Sequence, residues 1–176
     1  MAAVAELERR LLAILAADVV GYSRRMEADE AGTIARLKAF RAEIADPLIA
    51  AHHGRLVKLM GDGALVAFAS VVDAVHCAVA LQKAAAARNV GLPEAERLVF
   101  RIGVNLGDVA LVEEDVYGDG VNVAARLQQL CEPGGVLVSG TAFDHLQGKL
   151  DLPLELVGEQ RVKNIARPLR TYRARL

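Results

Sequence analysis

The sequence predicts an α+β domain with a βαββαβ core of the ferredoxin-like kind: one antiparallel sheet with helices on one face, extended at its C-terminal end. Three observations predict it. Short apolar runs of strand type alternate with longer stretches of helical period. A glycine-flanked turn, Gly61-Asp62-Gly63, joins two of the short runs as a hairpin. The 176 residues, 53% of them apolar, suffice for one folded core, and neither a low-complexity linker nor an internal repeat divides them.

Taken in order, residues 1–10 are rich in Ala, Glu and Arg and read as an extension outside the core, helical or frayed, with the domain proper at residues 11–176. Residues 11–17 read as a buried strand. Residues 29–51 read as a helix with Ile34, Leu37, Ile44 and Leu48 on one face, and Pro47 inside it predicts a kink or a break. Residues 56–60 and 64–68 form the hairpin. Ser70, with Asp73 three positions on, caps a helix that carries Val71, Val75, Ala78, Val79 and Gln82 at helical spacing. Residues 88–97, with Gly91 and Pro93, read as a loop. Residues 99–105 alternate as a strand with Phe100, Ile102 and Val104 on one face; a turn at Gly107-Asp108 then leads to a short strand at 109–112. Gly118-Asp119-Gly120 opens a helix at 121–130, which Pro133-Gly134-Gly135 closes. A strand at 136–139, a short helix at 141–147, and short strands around turns at Gly158 and Pro168 complete the chain.

A net charge of −1 argues against a general nucleic-acid or anionic-membrane binder. No apolar run is long enough to span a bilayer, and nothing at the N-terminus reads as a signal peptide. Cys77 and Cys131 lack metal-type spacing and read as reduced core residues, which points to the cytoplasm.

Two aspartates carry the strongest chemical signal. Asp18 follows the first apolar run, and Asp62 sits in the hairpin turn. A carboxylate at the exit of a buried strand is costly unless it is paired or binds a cation. In a βαββαβ sheet these two meet in space, where they can bridge two Mg²⁺ ions, about 3.5–4 Å apart in such sites. The backbone amides of residues 20–23, including Gly21, Tyr22 and Ser23, are placed to cradle phosphate oxygens. The alternative is that Asp18 caps a helical turn and Asp62 is an ordinary hairpin residue. Lys58, four positions before Asp62, favours the site.

Residues 115–126 partly mimic an EF-hand loop, but the twelfth position is Arg126 rather than Glu, so that reading fails. What survives is a helix with Asn122 and Arg126 on one face, an amide and a guanidinium able to hold a ribose and a charge-accumulating phosphorus. The alternative is a surface salt bridge for Arg126 and a helix-start role for Asn122. His52, His53, His76 and His145 lack a second ligand at metal spacing and read as structural or solvated.

Four motifs in order resemble the catalytic domain of class III adenylate cyclases, over nearly the whole chain from Leu11 to Arg175. Ala17-Asp18-Val19-Val20-Gly21-Tyr22-Ser23 is similar to that family's first metal motif. Lys58-Leu59-Met60-Gly61-Asp62 is similar to its substrate lysine followed by the second metal aspartate, and Phe100 through Gly107 to its central strand. Asp115 followed by Gly118 and Val121-Asn122-Val123-Ala124-Ala125-Arg126 is similar to its substrate aspartate and transition-state helix.

The resemblance implies conversion of ATP to 3′,5′-cyclic AMP and pyrophosphate with two Mg²⁺ or Mn²⁺ ions per site. Asp18, Asp62 and the Val19 carbonyl would hold the metals. Lys58 would donate to adenine N1 and Asp115 would accept from the amino group. Asn122 would orient the ribose, Arg126 would stabilise the transition state, and Lys163 is placed like the triphosphate lysine, although the glycines that usually flank it are missing. The site would be shared across a head-to-tail homodimer, metals from one chain and the other groups from its partner, with no nucleic-acid partner. The arm between Asp108 and Asp115 looks short, Asp119-Gly120 replaces the Asn-Thr of animal relatives, and a regulatory domain beyond this chain is consistent with the bacterial pattern. The rivals are a diguanylate cyclase, whose Gly-Gly-Asp/Glu-Glu-Phe hairpin is missing here, and a catalytically silent nucleotide-binding signalling dimer. A guanylate cyclase fits Lys58 and Asp115 poorly.

Overall fold

The computed structural model describes residues 7–176. Its core strands are β1 (Glu8–Val19), β2 (Arg55–Met60), β3 (Gly63–Phe68) and β4 (Phe100–Val112), followed by β5 (Asp115–Tyr117), β6 (Val136–Ser139), β7 (Leu154–Gln160) and β8 (Leu169–Ala174). The sheet runs β2-β3-β1-β4-β6-β8-β7, with β5 paired to β4. The first four strands stand in the ferredoxin-like order and are antiparallel, as expected. One departure follows β4: β6 pairs with it in parallel, and β8 and β7 then add antiparallel strands at the edge.

The helices are α1 (Tyr22–Ala28), α2 (Glu30–Phe40), α3 (Asp46–Ala51), α4 (Val71–Asn89), α5 (Asp119–Leu130) and α6 (Gly140–Leu146). They cover both faces of the sheet rather than one. Along β1 the pleat sends Ala13, Leu15 and Val19 into the larger core, with Phe40, Val75 and Ala78 from the helical segments, while Ile14 and Ala16 join Val109, Val116 and Ala124 in a smaller core under α5. That alternation explains why β1 is apolar without interruption from Leu12 to Ala17, where both of its faces are covered.

Three further expectations are corrected. Glu8–Arg10 belong to β1, paired with Leu111, Ala110 and Val109, and are not an extension outside the core; residues 1–6 lie outside the described residues. The turn expected at Gly107-Asp108 does not exist, because β4 runs unbroken through it. Gly107 is there for approach, since a Cβ would lie 3.1 Å from Gly120 Cα at the start of α5. Gly103 has the same purpose about two helix turns on, where a Cβ would come within 2.5 Å of the Gln128 backbone nitrogen. Gly158 is inside β7 at a register shift, not in a turn.

Pro47 does not break the long helix. It removes the N–H that would bond the Glu43 carbonyl, and the backbone widens one turn earlier into a π turn, Arg41–Ala45, in which Asp46 N–H reaches the Arg41 carbonyl. The Ser70 cap is formed, its Oγ accepting from Asp73 N–H at 3.3 Å. No helix of the described residues is long and apolar enough to cross a membrane.

Candidate active site

Asp18 is the penultimate residue of β1, on the α5 side of the sheet, and β3 lies alongside with Ala17 opposite Ala64. The hairpin turn presses close: a Cβ on Gly63 would stand 3.9 Å from Asp18 Cβ. The aspartates are thus neighbours. Burial, and then the Asp62 charge, push the Asp18 carboxyl above its ordinary value of 3.8, against smaller opposing effects of Gln128 and Arg101. Asp18 Oδ1 is buried with no hydrogen-bond partner, and the same is true of Gln128 Nε2 and Arg101 Nε. Gln128 is near enough to act on the carboxylate without closing a hydrogen bond. An orphaned buried oxygen beside a second carboxylate fits a hard divalent cation, whose preferred ligands are oxygens. Among the described residues no group of three or more His, Cys, Asp or Glu side chains is placed to hold a metal ion, so the remaining ligands of such an ion would be backbone, water or substrate.

Val19, 3% exposed, ends β1 opposite Phe100. The Val20 amide expected to face phosphate is already used, donating to the Val99 carbonyl at 2.8 Å. Gly21, at φ 69°, precedes α1, a helix the sequence reading missed. The amides of Tyr22 and Ser23 fall in its first turn, where no acceptor exists within the helix.

Lys58 and Asp115 form the second group. Lys58 Nζ lies 3.3 Å from Asp115 Oδ1, both side chains about one-third exposed at 33% and 31%. A bulge in β2 lies between Leu56 and Lys58, and Val57 packs on the smaller core that also holds Val116 of β5. Arg55, donating to the Glu114 carbonyl at 3.1 Å, ties the same elements. The Val116 N–H, donating to Asp115 Oδ1 at 2.7 Å, is the main cause that holds this carboxyl below its usual range; Tyr117 and Lys58 add to it. The Tyr117 ring lies 5.5 Å under Lys58 Nζ. The signal for Tyr117 in the sequence is its spacing of two from Asp115, which puts both on one face of β5.

α5 starts two residues beyond β5. Asn105, 4% exposed, anchors that start by donating to the Gly120 carbonyl at 3.0 Å, and Thr141 Oγ1 donates to Asn105 Oδ1. Asn122 is exposed and Arg126 partly exposed. Arg126 donates to Gln129 Oε1 at 2.9 Å and makes no salt bridge among the described residues, so the surface-ion-pair alternative is not what the structure holds. Lys163 stands apart, exposed in the loop between β7 and β8 and bonded to neither group. No hydrogen bond or ion pair among the described residues links the Asp18–Asp62 pair to the Lys58–Asp115 pair.

A ferredoxin-like sheet carrying these motifs in this order is the architecture of nucleotide-cyclase catalytic domains. The chain belongs to the adenylate and guanylate cyclase catalytic domain family, whose model matches residues 7–174. It is 50% identical over 166 residues to putative adenylate cyclase 3 of Rhizobium meliloti, covering 94% of this chain and 28% of that protein. It is 36% identical over 151 residues to an adenylate cyclase of Streptomyces coelicolor, covering 84% and 37%. The chain therefore spans well under half the length of these relatives. A solved adenylate/guanylate cyclase/hydrolase from Silicibacter pomeroyi superposes with a TM-score of 0.89 at 44% identity, over 96% of this chain and 98% of that one. An adenylyl cyclase from P. aeruginosa shares the fold at TM-score 0.84 and 23% identity.

Proposed function

We propose that this chain is an adenylate cyclase domain that closes ATP to 3′,5′-cyclic AMP and pyrophosphate at sites shared between two copies. The observation that carries the reading is the Lys58–Asp115 pair: a donor in β2 lying 3.3 Å from an acceptor at the start of β5, both partly exposed. Adenine presents an acceptor at N1 beside an amino donor, which matches Lys58 and Asp115 in turn. Guanine presents an N–H and a carbonyl in the reverse order, and each charged side chain would face a like partner. The names of the curated relatives agree with adenine.

In the reaction the ribose 3′-oxygen attacks the α-phosphorus. The new O3′–P bond forms as the bond to the α,β-bridging oxygen breaks, the hydroxyl proton leaves to solvent, and pyrophosphate departs. Asn122 would hold the ribose so that the 3′-oxygen is in line, and Arg126, without a carboxylate partner, is available to the charge that builds on the phosphorus oxygens. Asp18 and Asp62, with the Val19 carbonyl, would hold Mg²⁺ or Mn²⁺. Those ions would acidify the 3′-hydroxyl and neutralise the triphosphate. The Tyr22 and Ser23 amides beyond Gly21 would meet phosphate oxygens, and Lys163, carried on its loop, would approach the triphosphate from the partner. Purine recognition and metal binding lie in separate, unlinked groups of one chain, which supports a head-to-tail homodimer with two equivalent sites. The test is an ATP/GTP competition with Mn²⁺, product identified by mass spectrometry at several protein concentrations. Cyclic AMP as the main product, with specific activity rising with concentration, is expected. Nucleotide binding without turnover under several metals would leave the silent dimer.

A further inference from the structure

On the face of the sheet opposite Asp18 lies a cavity of about 300 Å³ that shares only Tyr22 and Asp62 with the proposed cyclase site. Its floor is β-sheet, with Leu15, Val66 and Ile102, and its roof is the long helix, with Leu37, Phe40 and Ala45. Ile34, 36% exposed, and Leu59, 50% exposed, stand on its lining and mark where it opens to solvent. A space of this size with apolar walls and an open mouth is at the lower end of what small-molecule sites need.

Two observations distinguish it from a packing fault. The π turn Arg41–Ala45 forms part of the wall, and that widened backbone turns Arg41 and Ala45 toward the space. The charged residues of the lining are also asymmetric. Lys38 and Arg41 are cationic, and Asp62 is the one carboxylate. Lys38 is exposed and makes no ion pair among the described residues, whereas Arg41 is held only at 3.5 Å by Asp46. The other end of the wall is the turn Gly61-Asp62-Gly63, so an occupant would touch the hairpin from behind.

We infer that this cavity is a binding site for a small amphipathic carboxylate, its hydrocarbon part between α2 and the sheet and its carboxylate at Lys38 and Arg41. The apolar lining supplies the affinity, since each buried CH₂ contributes about 0.8 kcal/mol, and the two cations at the rim select an anionic head over a neutral or cationic one. Its place behind the Asp62 turn makes it a position from which a small molecule can act on the metal-side hairpin.

The probe is decanoate, kept below its micelle concentration and titrated calorimetrically into the whole chain at two protein concentrations. One saturable site per chain is expected. Decanol, without the charge, is expected to bind roughly fivefold more weakly, the size of a partly exposed ion pair. Lys38→Glu is expected to weaken decanoate by a similar factor and leave decanol unchanged. Ala45→Phe, which fills the space, is expected to remove both, and its melting curve shows that it folds. The inference is overturned by an absence of saturable binding to the parent chain, by equal affinity for decanoate and decanol, or by undiminished binding to folded Ala45→Phe. It is also overturned if affinity falls as protein concentration rises, the result expected were a second copy to cover the mouth. The readout is binding alone, so a failure of the cyclase reading leaves it intact and its own failure leaves that reading intact.

Discussion

Asp18 and Asp62 are like charges pressed together at one end of the sheet, one with a buried oxygen that nothing satisfies. Lys58 and Asp115 are opposite charges that satisfy each other near the surface. The first pair is unstable as it stands and is completed only by something positive. The second is complete as it stands, and under the proposed function it must open to read a base. Opening it is cheap, because water can replace each partner at an ion pair that stands partly in solvent. The cost of assembling the site is therefore concentrated on the metal side, and the two pairs should respond to substitution in opposite ways.

The largest effect expected is from Asp18→Ala, which should abolish cyclic AMP formation in a Mn²⁺ assay. Mixed with Arg126→Ala chains, it should recover roughly a quarter of parental activity, one intact site in each mixed dimer. No recovery, with mixed dimers present, would count against the division of labour between subunits. Arg126→Ala alone should lower kcat by about 10²–10³ with little change in KM, since its contribution is made to the developing charge. A rise in KM at constant kcat would move Arg126 to ground-state binding. Asp115→Ala should cost roughly ten- to a hundredfold in ATP-over-GTP discrimination by kcat/KM, because the adenine amino group loses its acceptor. Discrimination unchanged would show that the pair is structural.

The smallest effect has the opposite sign. Without divalent cations, Asp18→Asn should raise the melting temperature by about 2–4 °C, by removing a buried like charge. The pH dependence follows. The folded-state carboxyl of Asp18 titrates above its ordinary value of 3.8. Its favourable contribution is thus complete below that value and is lost as pH rises through the raised folded-state value. The parent should lose stability over that rise, and Asp18→Asn should not show this component in melting curves taken across pH.

Much of the candidate site was legible because its residues sit at element boundaries that have local signals. Asp62 lies between glycines, Ser70 caps with Asp73, and Asn122 and Arg126 are one helical turn apart. What escaped was decided by contacts between segments distant in sequence. Gly107 looks like a turn residue until Gly120 is placed against it. Residues 8–10 look polar and peripheral until the far end of β4 pairs with them. Val20 looks free to bind phosphate until the Val99 carbonyl takes its amide. Tyr117 and Gln128 carry no motif of their own, Arg101 and Asn105 stand in the central-strand motif without an assigned part, and all four matter through what is packed beside them.

The amino-acid sequence by itself determined the alternation of elements, the ferredoxin-like core and the identity of the acidic, basic and amide groups, because hydrophobic period, turn glycines and residue chemistry are local properties of a chain. The three-dimensional packing decided which of those groups are satisfied. It laid α5 on the second face of the sheet through Gly103, left Asp18 short of a partner and closed Lys58 onto Asp115. Burial and charge balance depend on neighbours that no stretch of sequence contains.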